Sequence, residues 1–121
     1  MVNSGVAYKD PIAEKIAYDI WRAEKLQGKW GGQCVKFIRD FTGYSEVKGD
    51  ARHFKTNTTT PSIGSIGKMH GHLFYILDIQ GNTLYIVDSN YGWTERVRVR
   101  YMKINDKNIV GYLTFREAGD K

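Results

Sequence analysis

Apolar residues recur every three or four positions between Pro11 and Gly43, whereas from Leu73 onward they gather in four short runs rich in β-branched and aromatic side chains. This separation of helix period from strand period is the strongest constraint on the fold. A chain that spends its helices first and its strands afterwards cannot alternate strand and helix into a parallel sheet. It predicts an α+β domain with helices packed on one face of an antiparallel sheet. Asp10-Pro11 opens the first helix as cap and first-turn proline, Ile12, Ala13, Ile16, Ala17, Ile20 and Trp21 form its core stripe, and Glu14, Lys15, Asp19 and Arg22 face away until Gly28 ends it. A second helix is expected to begin at or just before Cys34, with Val35, Ile38 and Phe41 on one face and Gly43 as the stop. Residues 44–67, including TNTTT, read as one long polar loop of the kind that orders around a substrate. The runs LFYILDI (73–79), TLYIVDS (83–89), ERVRVRY (95–101) and IVGYLTF (109–115) then read as a meander. In sum, helices over about 11–43 and a sheet over about 64–116 make a single domain of residues 1–121.

An apolar content of 41% suffices for one core, and a single cysteine makes no internal disulfide. The opening MVNSGVAYKD has no export-signal pattern, and no later apolar run reaches membrane-spanning length. The formal charge of +5 points to an anionic partner: nucleic acid, anionic lipid or the acidic polymers of a bacterial wall. Arg96, Arg98 and Arg100 alternate along one strand and read first as a solvated face, second as attraction to wall polymer; no nucleic-acid motif accompanies them. Repeats, phosphate loops and metal motifs of known spacing are all missing from the sequence.

The chemistry lies in KWGGQCVKFIRDFTG, residues 29–43. A cysteine in the first turn of a helix meets unpaired amide N–H groups and the positive end of the macrodipole, which favour a thiolate and can hold an oxyanion. The preceding glycines would let a carbonyl substrate approach the backbone. Of the three histidines, His72 stands where a strand begins, anchored yet accessible as a general base requires. A three-residue turn at Gln80-Gly81-Asn82 would place Asn90 opposite His72 and Asp88 opposite Phe74, so that either Asp88 or Asn90 orients the ring. His70 shares the parity of His72 if the strand runs back through both, but would face Gly92, which has no side chain to orient it.

Gly32-Gln33-Cys34 with an aromatic three residues on, Gly71-His72 entering an apolar strand, and Asp88-Ser89-Asn90-Tyr91 ending the next resemble the CHAP domains, the cysteine, histidine-dependent amidohydrolases/peptidases of bacterial and phage wall hydrolases. The resemblance runs from Ile12 to Phe115. It implies a papain-like α+β fold, Cys34 as nucleophile, His72 as base, and Asp88 with Asn90 as orienting groups. The family more often carries Glu where Asp88 stands, and one methylene less in reach shifts the orienting role toward Asn90. NlpC-like relatives have Asp before the cysteine and Ser-Gly after it, unlike Gln33-Cys34-Val35 here. The acidic calcium loop of some CHAP domains has no counterpart in GKWGG, so neither calcium nor another cofactor is expected, and Cys34, His70 and His72 match zinc spacings poorly. The Cys34 N–H with the Gln33 side chain would form the oxyanion site, and Trp30, Tyr91 and Trp93 would line a groove for sugar or peptide. The expected activity is peptidoglycan hydrolysis at an amide bond, as N-acetylmuramoyl-L-alanine amidase or endopeptidase. Its bearer would be a monomeric phage lysin or virion-associated enzyme, made in the cytoplasm and acting at the wall, with peptidoglycan as partner and neither nucleic acid nor membrane. A protein-directed cysteine hydrolase, deamidase or transglutaminase-like enzyme, and a non-catalytic wall-binding module, are the alternatives.

Overall fold

The computed structural model describes residues 11–114, with side chains from Ala13 onward; the Asp10 cap and Phe115 lie outside the described residues. Two helices, α1 (Pro11–Leu26) and α2 (Cys34–Thr42), precede five strands: β1 (Ile66–Met69), β2 (His72–Gln80), β3 (Thr83–Ser89), β4 (Val97–Lys103) and β5 (Ile109–Leu113). Single 3₁₀ turns lie at Ala51–His53 and Tyr91–Trp93. The sheet is antiparallel in the order β4-β3-β2-β1-β5. No helix among the described residues is long and apolar enough to cross a membrane.

The α+β class and the order of elements match the expectation, with three corrections. First, the stretch read as a loop to Gly67 ends in β1, whose IGKM carries too few apolar residues to signal a strand, and His70 sits in the turn to β2 rather than on a strand shared with His72. Second, the last strand does not continue a meander; it crosses to the far side and pairs with β1. Third, the β2–β3 turn is Gly81-Asn82, because Gln80 already pairs with Thr83. An irregularity between Ile76 and Asp78 then restores the expected register, with Ile76 opposite Ile86 and Tyr75 opposite Val87.

The helix α2 buries Cys34, Val35, Phe37, Ile38 and Phe41 against the sheet and ends at Gly43, whose φ of 77° lets its N–H reach the Arg39 carbonyl. The expected stripe of α1 is rotated: Ala13, Ala17 and Trp21 are exposed, while Asp19, assigned to the outer side, is buried with Ala23. The cause is a polar anchor. Asp19 accepts from Tyr75 Oη (2.9 Å), Lys15 Nζ (2.9 Å) and Arg22 Nη2 (3.2 Å). Arg22 also donates to the Phe41 carbonyl and covers the Phe41 ring, locking α1 to the end of α2. Burial and the Asp19 charge push the Tyr75 hydroxyl far above the usual phenol range, so it stays a donor.

Alternation along β2 and β3 sends Leu73, Tyr75, Leu77 and Val87 into the helix-side core, and Phe74, Ile76, Leu84 and Ile86 into a second core with Met102 and Tyr112. Strand β2 is therefore covered on both faces, which explains its unbroken apolar run. The linker between the helices lies along β4: Gly28 N–H donates to Val97 O, Val97 N–H to Lys29 O, and Val99 N–H to Gln27 Oε1. On the far side, Tyr112 exchanges backbone hydrogen bonds with residues 57 and 58, and Thr114 N–H donates to Asn57 Oδ1.

Gly67 is pressed directly under the Phe74 ring, leaving no room for a methyl group. Gly67→Ala should destabilise the fold by about 2–3 kcal/mol, lowering Tm by about 10 °C, and adding Phe74→Leu should recover part of the loss in thermal unfolding.

Candidate active site

Cys34 is the first residue of α2 and only 7% exposed. Gln33 precedes it with extended backbone (ψ 155°) and an exposed side chain that makes no cap hydrogen bond. Burial pushes the Cys34 thiol up. Hydrogen bonding with His72, backbone hydrogen bonds at Leu73 and Val35, and the His72 charge outweigh that penalty and leave the thiol below its ordinary range.

His72 opens β2, where the sheet meets the start of α2. Its Nε2 lies 2.9 Å from Asp88 Oδ2, which leaves Nδ1 for the Cys34 thiol. Burial favours the neutral ring, but the hydrogen bonds and charges of Asp88 and Cys34 prevail and raise it to about 8. The thiol is drawn down by His72 and the imidazole up by Cys34 and Asp88, so the two groups are coupled.

Asp88 is fully buried on β3. Burial raises its carboxyl, while His72 and Arg100 more than reverse the effect and hold it below the usual carboxylate range. Arg100 Nη2 donates to the same Oδ2 at 2.9 Å. Arg98, opposite Asp88 in the β3–β4 register, brings Nε to 4.0 Å from Oδ1. The Tyr91 ring spans both guanidiniums at 4.3 and 4.7 Å and presents its edge to His72 at 5.4 Å between centroids.

Cys34, His72 and Asp88 are thus contiguous, whereas Asn90 is not the neighbour of His72 that strand register implied. β3 ends at Ser89 and the chain turns left-handed at Asn90 (φ 67°), whose Oδ1 accepts from Glu95 N–H instead. Asp88 reaches the ring diagonally, so its shorter side chain suffices. Arg98 and Arg100 are not a solvated face but the partners of Asp88; Arg96 alone of the three is exposed. Tyr91 packs behind the site. Asn90 and Trp93 line a cleft of about 650 Å³ with Gln33, Cys34, Asp50 and Arg52. His70 borders the same cleft from the β1–β2 turn. Trp93 is 88% exposed, and Trp30 is held by Nε1–H donation to Glu95 Oε1.

The glycines before Cys34 are required by packing. A Cβ on Gly31 would lie 2.6 Å from Ser89 Oγ and from Val97 Cγ2. Ser89 Oγ donates to the Gly32 carbonyl at 2.7 Å, and Gly31 and Gly32 N–H both donate to Glu95 O. Glu95 gave no signal in the sequence, Ser89 stood in the Asp88-Ser89-Asn90-Tyr91 motif without a role of its own, and Arg100 was visible only as one of an alternating trio. With Asp88→Asn the buried ring keeps its desolvation and loses its anion. The His72 pKa, followed by NMR titration, should fall from about 8 to below 6.5, and any turnover should fall by about 10²–10⁴-fold.

No family model and no curated protein matches the chain. Among solved structures, the crystal structure of Ly7917 superposes with a TM-score of 0.61 at 14% identity, covering 83% of this chain and 62% of that one. Ly7917 with the hydrolyzing product of MDP gives a TM-score of 0.64 at 15% identity over 82% of this chain and 62% of its own. The chain therefore shares a fold with proteins of which it spans about three-fifths.

Proposed function

We propose that this chain is a CHAP-like cysteine amidohydrolase on a papain-like fold that cleaves an amide bond of peptidoglycan, either the N-acetylmuramoyl-L-alanine link or a stem-peptide or crossbridge bond. The observation that carries the reading is the buried relay Cys34–His72–Asp88, with the thiol shifted down and the imidazole up at the floor of an open cleft. The Ly7917 structure with the hydrolyzing product of MDP adds support through the shared fold.

The Cys34 thiolate attacks the amide carbonyl carbon, and the oxygen gathers charge beside the Cys34 N–H and the Gln33 side chain. Protonated His72 gives its proton to the departing amine nitrogen as the C–N bond breaks, leaving a thioester on Cys34. Neutral His72 then takes a proton from water, which attacks the thioester and frees the acid. Asp88 holds the ring throughout. The exposed Trp93 offers a flat apolar face to a sugar ring or peptide at the cleft mouth, and a formal charge of +5 favours the anionic wall. The reading includes cytoplasmic synthesis followed by action at the wall, as a phage lysin or virion-associated enzyme would have.

Purified bacterial walls should lose turbidity in the presence of the protein, with mass spectrometry of the fragments naming the bond. Cys34→Ala should be folded and inactive by at least about 10³-fold. EDTA should leave the rate unchanged. Because leaving-group protonation needs imidazolium, kcat/KM should rise from acid pH as the thiolate forms and fall again as pH passes about 8. Intact walls beside rapid alkylation of Cys34 would redirect the search to protein amides; full wall turnover by Cys34→Ala would remove the enzyme reading.

A further inference from the structure

Asp88 has no solvent exposure, and a lone carboxylate in such a place would take up a proton and cease to act as an anion. In the reactive state the buried group holds Cys34 as anion, His72 as cation and Asp88 as anion, a net charge of minus one. The groups facing Asp88 are His72 from β2, Arg98 and Arg100 from β4, and the Tyr91 ring over both guanidiniums; Cys34 of α2 lies beyond His72. Of the two arginines, only Arg100 hydrogen-bonds the carboxylate, on the oxygen that also faces His72. Arg98 stays at 4.0 Å with its side chain 40% exposed, whereas that of Arg100 is 24% exposed. Arg100 is not among the residues lining the Cys34 cleft.

We infer that Arg100 is a positioning residue that acts through Asp88: its guanidinium neutralises the buried triad, keeps Asp88 an anion turned toward His72, and so sustains the imidazolium that makes Cys34 a thiolate. The inference rests on Cys34 and His72 as nucleophile and base, but not on the bond they cleave. Tyr91 completes the device by stacking on the guanidinium and shielding it from water.

The test reads the thiolate directly, through the rate of Cys34 alkylation by iodoacetamide against pH, with thermal unfolding to verify each fold. In Arg100→Met and in Arg100→Gln, which keeps N–H donors without charge, the midpoint should rise by about one pH unit, making labelling about tenfold slower below it. Arg100→Lys, which restores the charge, should stay within about 0.3 of a unit of the unmodified protein. In an Asp88→Asn background, Arg100→Met should add almost nothing, because the group it works through is gone. An unmoved midpoint in folded Arg100→Met or Arg100→Gln, or an equal rise in the Asp88→Asn background, overturns the inference. Since alkylation needs no wall substrate, a failure of wall cleavage leaves this result standing on its own.

Discussion

One buried carboxylate organises the reactive end of this molecule. Asp88 lies within the sheet with no access to water, and every group in the candidate site takes its charge state or its place from it, directly or at one remove. Asp88 hydrogen-bonds His72 and pushes the imidazole up, His72 in turn draws the Cys34 thiol down, and His72 and Arg100 together hold the carboxyl below its usual range. An ion pair in the interior carries a desolvation cost that good geometry only partly offsets, so such a cluster is weak evidence for stability and better evidence for a task. Asp19, the other buried acid among the described residues, makes the contrast. It binds Tyr75, Lys15 and Arg22 and so joins α1 to the sheet and to α2.

The segment after β3 carries the strain of the site. Asn90, Trp93 and Glu95 all have positive φ without being glycine, and Gly92 between them does as well. Conformations of this kind cost on the order of 1–3 kcal/mol each unless their surroundings enforce them. Here Asn90 Oδ1 accepts the Glu95 N–H, Trp93 N–H returns to Asn90 O, and Glu95 receives Gly31, Gly32 and the Trp30 indole. The strained loop thereby fixes both the approach of the chain to Cys34 and the outward indole of Trp93.

Much of the architecture could be read in the sequence because it rests on local periodicity. The limits of β3 follow from TLYIVDS, α2 begins at Cys34 and stops at Gly43, and the register at the Tyr75–Val87 end emerged although the turn assumed for it was wrong. What escaped was decided by distant partners. IGKM is a strand because Leu73, Phe74 and Tyr75 lie beside it, and IVGYL crosses the sheet because β1 offers a second side. Asp19 turned inward because Tyr75 supplied a donor, a contact 56 residues away in the chain. In the site, Cys34 and His72 stood out by residue type and place, but choosing between Asp88 and Asn90 required knowing that the backbone turns left-handed after Ser89.

The two outer strands are each met by a stretch of irregular chain. A bare outer strand is a row of free donors and acceptors that will accept another strand, from another copy or from an unfolding neighbour. Residues 27–30 satisfy β4 at Val97 and Val99, and residues 57 and 58 satisfy β5 at Tyr112. The chain that leads into Cys34 thus doubles as a guard against strand addition at that border. A change that loosened the approach to Cys34 would also bare a hydrogen-bonding edge, so damage to the reactive end and a tendency to aggregate would arise together.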